Sequence, residues 1–158
     1  MRTPYYLLAI ISVSLFTSCE QTTPPAELIN KKASLPGTFS ISDLHQRLLS
    51  SFYNTKDNTN TVLYGDKGAE AALQKHGISA SSPFSLTLVT WHQQEDPHWF
   101  GARIPGDLIS VERLTKADGD DRLSYQKLAG KQLIAIKDTV GNGDRIRFIL
   151  AQQPLIQP

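Results

Sequence analysis

The chain of 158 residues lacks several features that would define its class directly. Its single cysteine excludes a disulfide framework and any zinc or iron–sulfur site built on several cysteines. Its 10 glycines and 9 prolines are too few for a collagen-like or low-complexity chain. With 16 basic and 15 acidic residues the net charge is only +1, so we expect no concentrated basic surface and no nucleic-acid partner.

The sequence also lacks a hydrophobic run long enough to span a bilayer, but it starts with a shorter one. Arg2 precedes an almost uninterrupted apolar run, residues 5–16, whose 12 residues would span roughly 18 Å as a helix. The hydrocarbon core of a bilayer is thicker, at about 30 Å. A basic start, a short apolar run and small residues after it are typical of a secretory leader.

Small polar residues separate this run from the only cysteine. Thr17 and Ser18 directly precede Cys19, and the segment resembles the lipobox of bacterial lipoproteins. The resemblance covers the first 19 residues and implies cleavage before Cys19, acylation of that residue with palmitate-type chains, and a membrane anchor. Two or three acyl chains give stable anchoring, whereas one chain is marginal. Glu20 stands where an aspartate would imply retention at the inner membrane, so we expect the outer membrane, facing the periplasm.

Composition divides the chain into three parts. Residues 1–18 are the predicted leader, residues 19–37 a predicted flexible tether rich in polar residues and proline, and residues 38–158 a single predicted domain. A flexible tether of that length would hold the domain ~25 Å from the lipid surface. Because Arg2 is the only charged residue of the leader, the rest of the chain is formally neutral.

The spacing of apolar residues predicts two helices before the strands. Ile41, Leu44, Leu48, Leu49 and Phe52 form one stripe at helical spacing, which predicts a helix over residues 40–53. A second predicted helix opens at residues 65–66 and ends at residues 76–77, where a glycine follows a histidine.

From residue 84 onward, short apolar runs alternate with turn signals, which indicates an antiparallel meander. The run that starts at Phe84 has apolar residues in both phases, so we expect a central strand that is covered on both faces or contains a bulge. Further strands are predicted at residues 108–114, 123–128, 133–137 and 146–150. The fold class expected is α+β, with one or two N-terminal helices packed on one face of a mainly antiparallel sheet.

Both tryptophans of the chain lie within residues 91–100. An aromatic platform beside a guanidinium suits a carboxylate, a sugar or a partner surface. The candidate ligand- or partner-binding residues are therefore Trp91, Trp99, Phe100 and Arg103. The alternative is that the tryptophans and histidines form cross-strand pairs of a hairpin.

The same stretch contains four weak candidates for metal ligands, namely His92, Glu95, Asp96 and His98. A two-residue loop at Glu95 and Asp96 would direct the two histidines to opposite faces, whereas a three-residue loop would put them on the same face. Because the spacing matches no established metal motif, we expect neither a metal nor another cofactor.

The sequence contains no recognisable catalytic signature. It has no nucleophile elbow, and the acidic turn at residues 118–121 lacks the glycine and glutamate positions of a calcium loop. We therefore predict a non-catalytic binding or accessory protein of the envelope that is anchored to the membrane through Cys19. Its candidate partner is another envelope protein. Two alternatives stay open: a small periplasmic enzyme, hydrolytic or metal-dependent, and an immunity or inhibitor lipoprotein that acts against a periplasmic toxin.

Overall fold

A computed structural model describes residue 24 and residues 28–74 and 82–155. The predictions for the leader, for Cys19 and for the end of the second helix at residues 76–77 lie outside the described residues. After a 3-10 helix at Ser42–Leu44, the elements are β1 (Arg47–Asn54), β2 (Thr59–Gly65), α1 (Lys67–Gln74), β3 (Phe84–Glu95), β4 (Arg103–Lys116), β5 (Leu123–Ala129), β6 (Ile134–Ile136) and α2 (Asn142–Leu150).

The six strands form one antiparallel sheet in chain order, β1-β2-β3-β4-β5-β6. The α+β class and the antiparallel meander are therefore confirmed. β3 and β4 form the longest ladder, which extends from the pair Phe84 and Lys116 to the pair Glu95 and Arg103. β3 lies inside the sheet, as predicted, and its register with β4 shifts on both sides of Trp91.

Both faces of the sheet are covered, and alternate residues of β3 point to the two faces. One face packs against α1 and α2, and its core contains Leu86 and Leu88 of β3 together with Leu73 and Ile149 of the helices. The opposite face is covered by the N-terminal segment. There the core comprises Val89, Trp91, Leu108 and Val111, against which Ala33, Leu35, Phe39 and Ile41 pack.

The helix predicted over residues 40–53 is wrong. Only Ser42–Leu44 is helical, His45 has a positive φ of 52°, and Arg47–Asn54 pair with β2 instead. β1 contains serines, aromatics and asparagine, which are weak helix formers, and the aromatics among them favour strands. Pairing with β2 also supplies the backbone hydrogen bonds that the helix would have made.

The second predicted helix is present as α1, and its start has a local cause. Asp66 precedes the helix, and its Oδ1 atom accepts the backbone N–H of Ala69 at 2.7 Å, as an N-cap residue does. Gly65 allows α1 to approach the sheet, because a Cβ atom at that position would lie 2.5 Å from Leu49 Cδ1 and 2.7 Å from Ala69 Cβ. α1 lies between β2 and β3, so the predicted order of helices before strands is also wrong.

The strand predicted at residues 146–150 is wrong, because this segment belongs to α2. Its apolar residues fit both periods: Ile146, Phe148 and Leu150 alternate as in a strand, whereas Ile146, Ile149 and Leu150 share a helical face. The structure selects the helical face, which buries Ile149 and partly buries Ile146 and Leu150 against the core. The segment 133–137 is confirmed as a strand for Ile134–Ile136.

Candidate functional site

The β3–β4 hairpin projects beyond the neighbouring strands. β2 begins at Thr59, which pairs with His92, and β5 ends at Ala129, which pairs with Ser110. Beyond these pairs, the ladders of the described strands show no further pairing of the hairpin with β2 or β5. Two hydrogen bonds of Gln93 still reach past the His92 pair, from its N–H to the carbonyl of Asn58 at 2.8 Å and from its Nε2 atom to Asn60 Oδ1 at 3.0 Å. We call the turn of the hairpin, residues 96–102, the hairpin tip.

The hairpin tip is a loop of seven residues that follows the last pair, Glu95 and Arg103. Neither the two-residue nor the three-residue loop considered from the sequence is formed. The predicted cross-strand pairing of tryptophans and histidines at this point is therefore also wrong, because His98 and Trp99 lie within the loop.

A network of hydrogen bonds fixes the hairpin tip. The Oδ1 atom of Asp96 accepts the backbone N–H groups of His98 at 2.8 Å and of Trp99 at 3.2 Å. The backbone of Ala102 closes the loop, donating to the carbonyl of Trp99 and accepting from the N–H of Asp96, both at 3.0 Å. Gly101 has a φ of 79°, a conformation that L residues with a side chain rarely adopt.

Two large aromatic side chains on this loop point into solvent. Trp99 is 72% exposed and Phe100 is fully exposed. Arg103, the first residue of β4, directly follows the tip and is also exposed. Three of the four predicted binding residues are thus exposed at the hairpin tip or next to it in the chain.

Trp91 differs from these three residues, and its prediction as a surface binding residue is wrong. Its side chain is 7% exposed and belongs to the core beneath the N-terminal segment. The indole Nε1 donates to the carbonyl of Ala33 at 2.9 Å. The residue lies in phase with Val89 on β3, and this spacing was the signal in the sequence that it faces a core.

The four weak metal candidates do not form a site. His92 lies in β3, His98 lies in the hairpin tip, and the Oδ1 atom of Asp96 accepts backbone N–H groups. In residues 28–74 and 82–155 the structure contains no cluster of three or more histidine, cysteine, aspartate or glutamate side chains suited to a metal ion. The long loop is the physical reason, because it separates His98 from the strand that carries His92.

The N-terminal segment supports the projecting hairpin. The Nδ2 atom of Asn30 donates to the carbonyl of Pro105 on β4 at 2.6 Å, and the carbonyl of Lys31 accepts from Lys131 Nζ at 3.2 Å. Residues 30–35, which belong to the predicted tether, therefore contact the domain. The polar composition of this segment gave little indication of these contacts, since they use backbone carbonyls and an amide as well as apolar side chains.

An open cleft of about 590 Å³ lies between the N-terminal segment and the hairpin. Leu28 and Ile29 on one side and Pro97 and His98 on the other contribute to its lining. Both Leu28 and Ile29 are largely exposed. The start of the described N-terminal segment and the hairpin tip therefore lie at the same end of the molecule.

A buried carboxylate that the sequence analysis did not single out lies on the helix-covered side of β4. Glu112 is 1% exposed, and Arg145 of α2 binds it through Nε to Oε2 at 2.7 Å and through Nη2 to Oε1 at 3.0 Å. Tyr125 Oη donates to Oε2 at 2.8 Å. The guanidinium of Arg145 also lies 4.7 Å from the centroid of the Phe148 ring.

These contacts make Glu112 a structural group that holds α2 on the sheet. Its carboxylate is buried and accepts hydrogen bonds from a guanidinium of α2 and a phenol of β5. Burial, and then the hydrogen bond to Glu112, raise the pKa of Tyr125 above its ordinary value. A charged residue between apolar residues of the strand predicted at residues 108–114 was the available signal in the sequence.

No protein-family model matches the chain, and no curated protein matches it. Among the residues that the structure describes, no helix combines the length and the apolar character that crossing a bilayer requires. The function is therefore argued from the residues of the hairpin tip and from the sequence that precedes the domain.

Proposed function

We propose that this protein is a lipid-anchored, non-catalytic binding protein of the bacterial envelope, held at the outer membrane through Cys19 with its domain in the periplasm. The hairpin tip is its binding surface. The observation that carries the proposal is the exposure of Trp99 and Phe100 on a loop whose conformation is already fixed.

The two aromatic side chains do not serve the fold. Neither belongs to the two hydrophobic clusters of the described residues, although burying a side chain of this kind is worth roughly 1.5–3 kcal/mol. The loop is fixed by Asp96, so binding would order little additional backbone and would lose little entropy. Arg103 adds a positive charge with several hydrogen-bond donors at the same place.

The anchoring part of the proposal rests on the sequence. A leader-like start, a lipobox-like segment and the only cysteine of the chain coincide at residues 1–19, and Glu20 favours the outer membrane. The non-catalytic part rests on the site, where His92 and His98 lie on different elements and Asp96 accepts backbone N–H groups. The rings of Trp99 and Phe100 offer apolar contact, and the adjacent Arg103 adds a permanent positive charge. Both features suit the binding of a partner.

The proposal is tested in intact bacteria with the full-length chain and a photo-crosslinking amino acid in place of Phe100. We expect adducts at position 100 that depend on Cys19, so that Cys19→Ala removes both the membrane association and the adducts. Mass spectrometry of the processed N-terminus should find acyl chains on Cys19.

The matched control carries the same crosslinker in place of Leu123, an exposed residue at the far end of the β4–β5 ladder. Position 123 should give few adducts. Equal labelling at the two positions would contradict the assignment of the binding surface, and an unmodified Cys19 would contradict the anchoring.

A further inference from the structure

We propose that the hairpin tip docks into the lipid surface that carries the anchor, with Trp99 and Phe100 in the boundary between head groups and acyl chains. This inference rests on the proposed anchoring at Cys19 and names the partner of the proposed binding surface as a bilayer with anionic head groups.

Only a short stretch of chain joins the proposed anchor to the domain. Nine residues lead from Cys19 to Leu28, and a peptide of that length reaches at most roughly 30 Å when fully extended. Leu28 lines the same cleft as Pro97 and His98 of the hairpin tip. An acylated Cys19 would therefore keep this end of the domain close to the lipid surface.

The shape and the chemistry of the tip suit a lipid surface. Trp99 and Phe100 lie at the end of a projecting hairpin, so they form a convex feature that a fluid lipid layer can accommodate. Tryptophan is enriched at the membrane interface because its ring is apolar and its N–H is polar. Leu28 and Ile29, exposed at the same end, extend the apolar surface.

Basic residues accompany the exposed apolar residues at this end of the domain. Lys31 and Lys32 are exposed and line the same cleft, and Arg103 is exposed at the base of the tip. Of the acidic residues nearest the tip, Glu95 lies opposite Arg103 in the register of β3 and β4, and Asp96 accepts backbone N–H groups within the loop. Asp57, beside the Asn58 whose carbonyl accepts the N–H of Gln93, and Asp107, four residues along β4 from Arg103, are exposed further from the tip. Basic residues that flank exposed apolar side chains are the pattern that binds anionic lipid surfaces.

The inference can be tested with the mature, full-length lipoprotein in vesicles of phosphatidylethanolamine and phosphatidylglycerol that carry bromine in the upper part of the acyl chains. Bromine quenches tryptophan fluorescence on contact, and the chain has only two tryptophans. Trp91 is buried in the core, so Trp99→Phe gives the background from Trp91 alone. We expect the Trp99 share of the emission to be lost in brominated vesicles and to be retained in unbrominated ones.

The matched control moves the exposed tryptophan to the other end of the sheet, as Trp99→Phe combined with Leu123→Trp. β4 has 14 residues, so its two ends are separated by roughly 40 Å at the usual rise of a strand. The emission from position 123 should not be quenched. Replacing Lys31 and Lys32 with glutamine should reduce quenching of Trp99 in vesicles with phosphatidylglycerol and have less effect in vesicles without it.

The outcomes separate the inference from the proposed function. If Cys19 carries acyl chains but Trp99 is not quenched, or if Trp99 and position 123 are quenched equally, lipid docking of the tip is overturned while the anchored binding protein stands. If the photo-adduct at position 100 in cells is then a protein, that protein occupies the tip. If Cys19 carries no acyl chain, the anchoring itself is overturned.

Discussion

The hairpin tip and the rest of the described domain, which we call the body, use similar residues for different purposes. In the body, Trp91 is buried and hydrogen-bonded to Ala33, and Glu112 is enclosed by Arg145 and Tyr125. At the tip, Trp99 lies in solvent. Residue type alone therefore does not distinguish a buried tryptophan from an exposed one, whereas its position relative to the end of the β3–β4 ladder does. Substitutions in the body should therefore change stability, and substitutions at the tip should change binding.

The largest effect on stability is expected in the body, from Arg145→Ala. The change leaves the Glu112 carboxylate buried without its guanidinium, and breaking a buried ion pair in this way costs about 3–5 kcal/mol. Chemical denaturation of the two proteins would measure the loss. Arg147→Ala is the matched control on the same helix, because its ion pair with Asp144 is exposed and should contribute at most about 0.5 kcal/mol. Equal losses from the two variants would contradict a structural role for Glu112.

A smaller effect is expected from Tyr125→Phe, which removes the phenol that donates to Glu112. A hydrogen bond to a charged group contributes roughly 1.5–3 kcal/mol, and the loss should appear in the free energy of unfolding at neutral pH. Tyr53→Phe, at an exposed position of β1, should change the stability little.

The difference in stability between the wild type and Tyr125→Phe should depend on pH, and its direction follows from the pKa of Tyr125. The folded state raises the pKa of Tyr125 above its ordinary value of 10.0, because burial and Glu112 both disfavour the phenolate. The phenol therefore contributes its full stability below about pH 10 and loses it as the pH rises through the folded-state pKa. The difference in stability between the wild type and Tyr125→Phe should shrink in alkaline solution. A difference that grows with pH would show that the phenolate, and not the phenol, is the stabilising form.

Much of the body could be predicted from the sequence, because its signals are periodic. β3 has apolar residues at both odd and even positions, and the structure covers this strand on both faces. The turn signals that follow in the sequence separate the antiparallel strands of the meander. The failures occurred where a short segment fits two periods. Residues 40–53 carry a helical stripe but pair as β1, and residues 146–150 alternate like a strand but form α2. In both segments the neighbouring structure, and not the local pattern, selected the outcome.

The site could be predicted only in part, for a related reason. The sequence identifies Trp99, Phe100 and Arg103 as a cluster, but the seven-residue loop that presents them depends on hydrogen bonds made by Asp96. The position of Asn30 against Pro105 depends on contacts between residues 75 positions apart, which no local pattern encodes. The cleft between the N-terminal segment and the hairpin was therefore missed.

At the tip, Asp96→Ala should reduce the stability of the protein modestly and should make the backbone of the loop clearly less ordered. The variant removes the acceptor of two backbone hydrogen bonds, a change comparable to the loss of a helix cap, which costs about 1 kcal/mol. Hydrogen exchange at the backbone amides of His98 and Trp99 should become faster. Asp96→Asn is the matched control, because the amide oxygen can still accept both bonds. Unchanged exchange in the alanine variant would show that the loop is fixed by other contacts.

The smallest effect on stability is expected from Trp99→Ala, which should stay within about 0.5 kcal/mol of the wild type because the ring makes no core contact. Trp91→Ala removes a ring of the same size from the core, and such a change costs about 3–5 kcal/mol. Thermal or chemical denaturation of this pair tests whether the body and the tip are energetically separate. If Trp99→Ala were as destabilising as Trp91→Ala, the exposed ring would be part of the fold, and its exposure would no longer argue for a binding role. If Trp99→Ala keeps the stability of the wild type, any loss of contact at the hairpin tip can be attributed to the missing side chain itself.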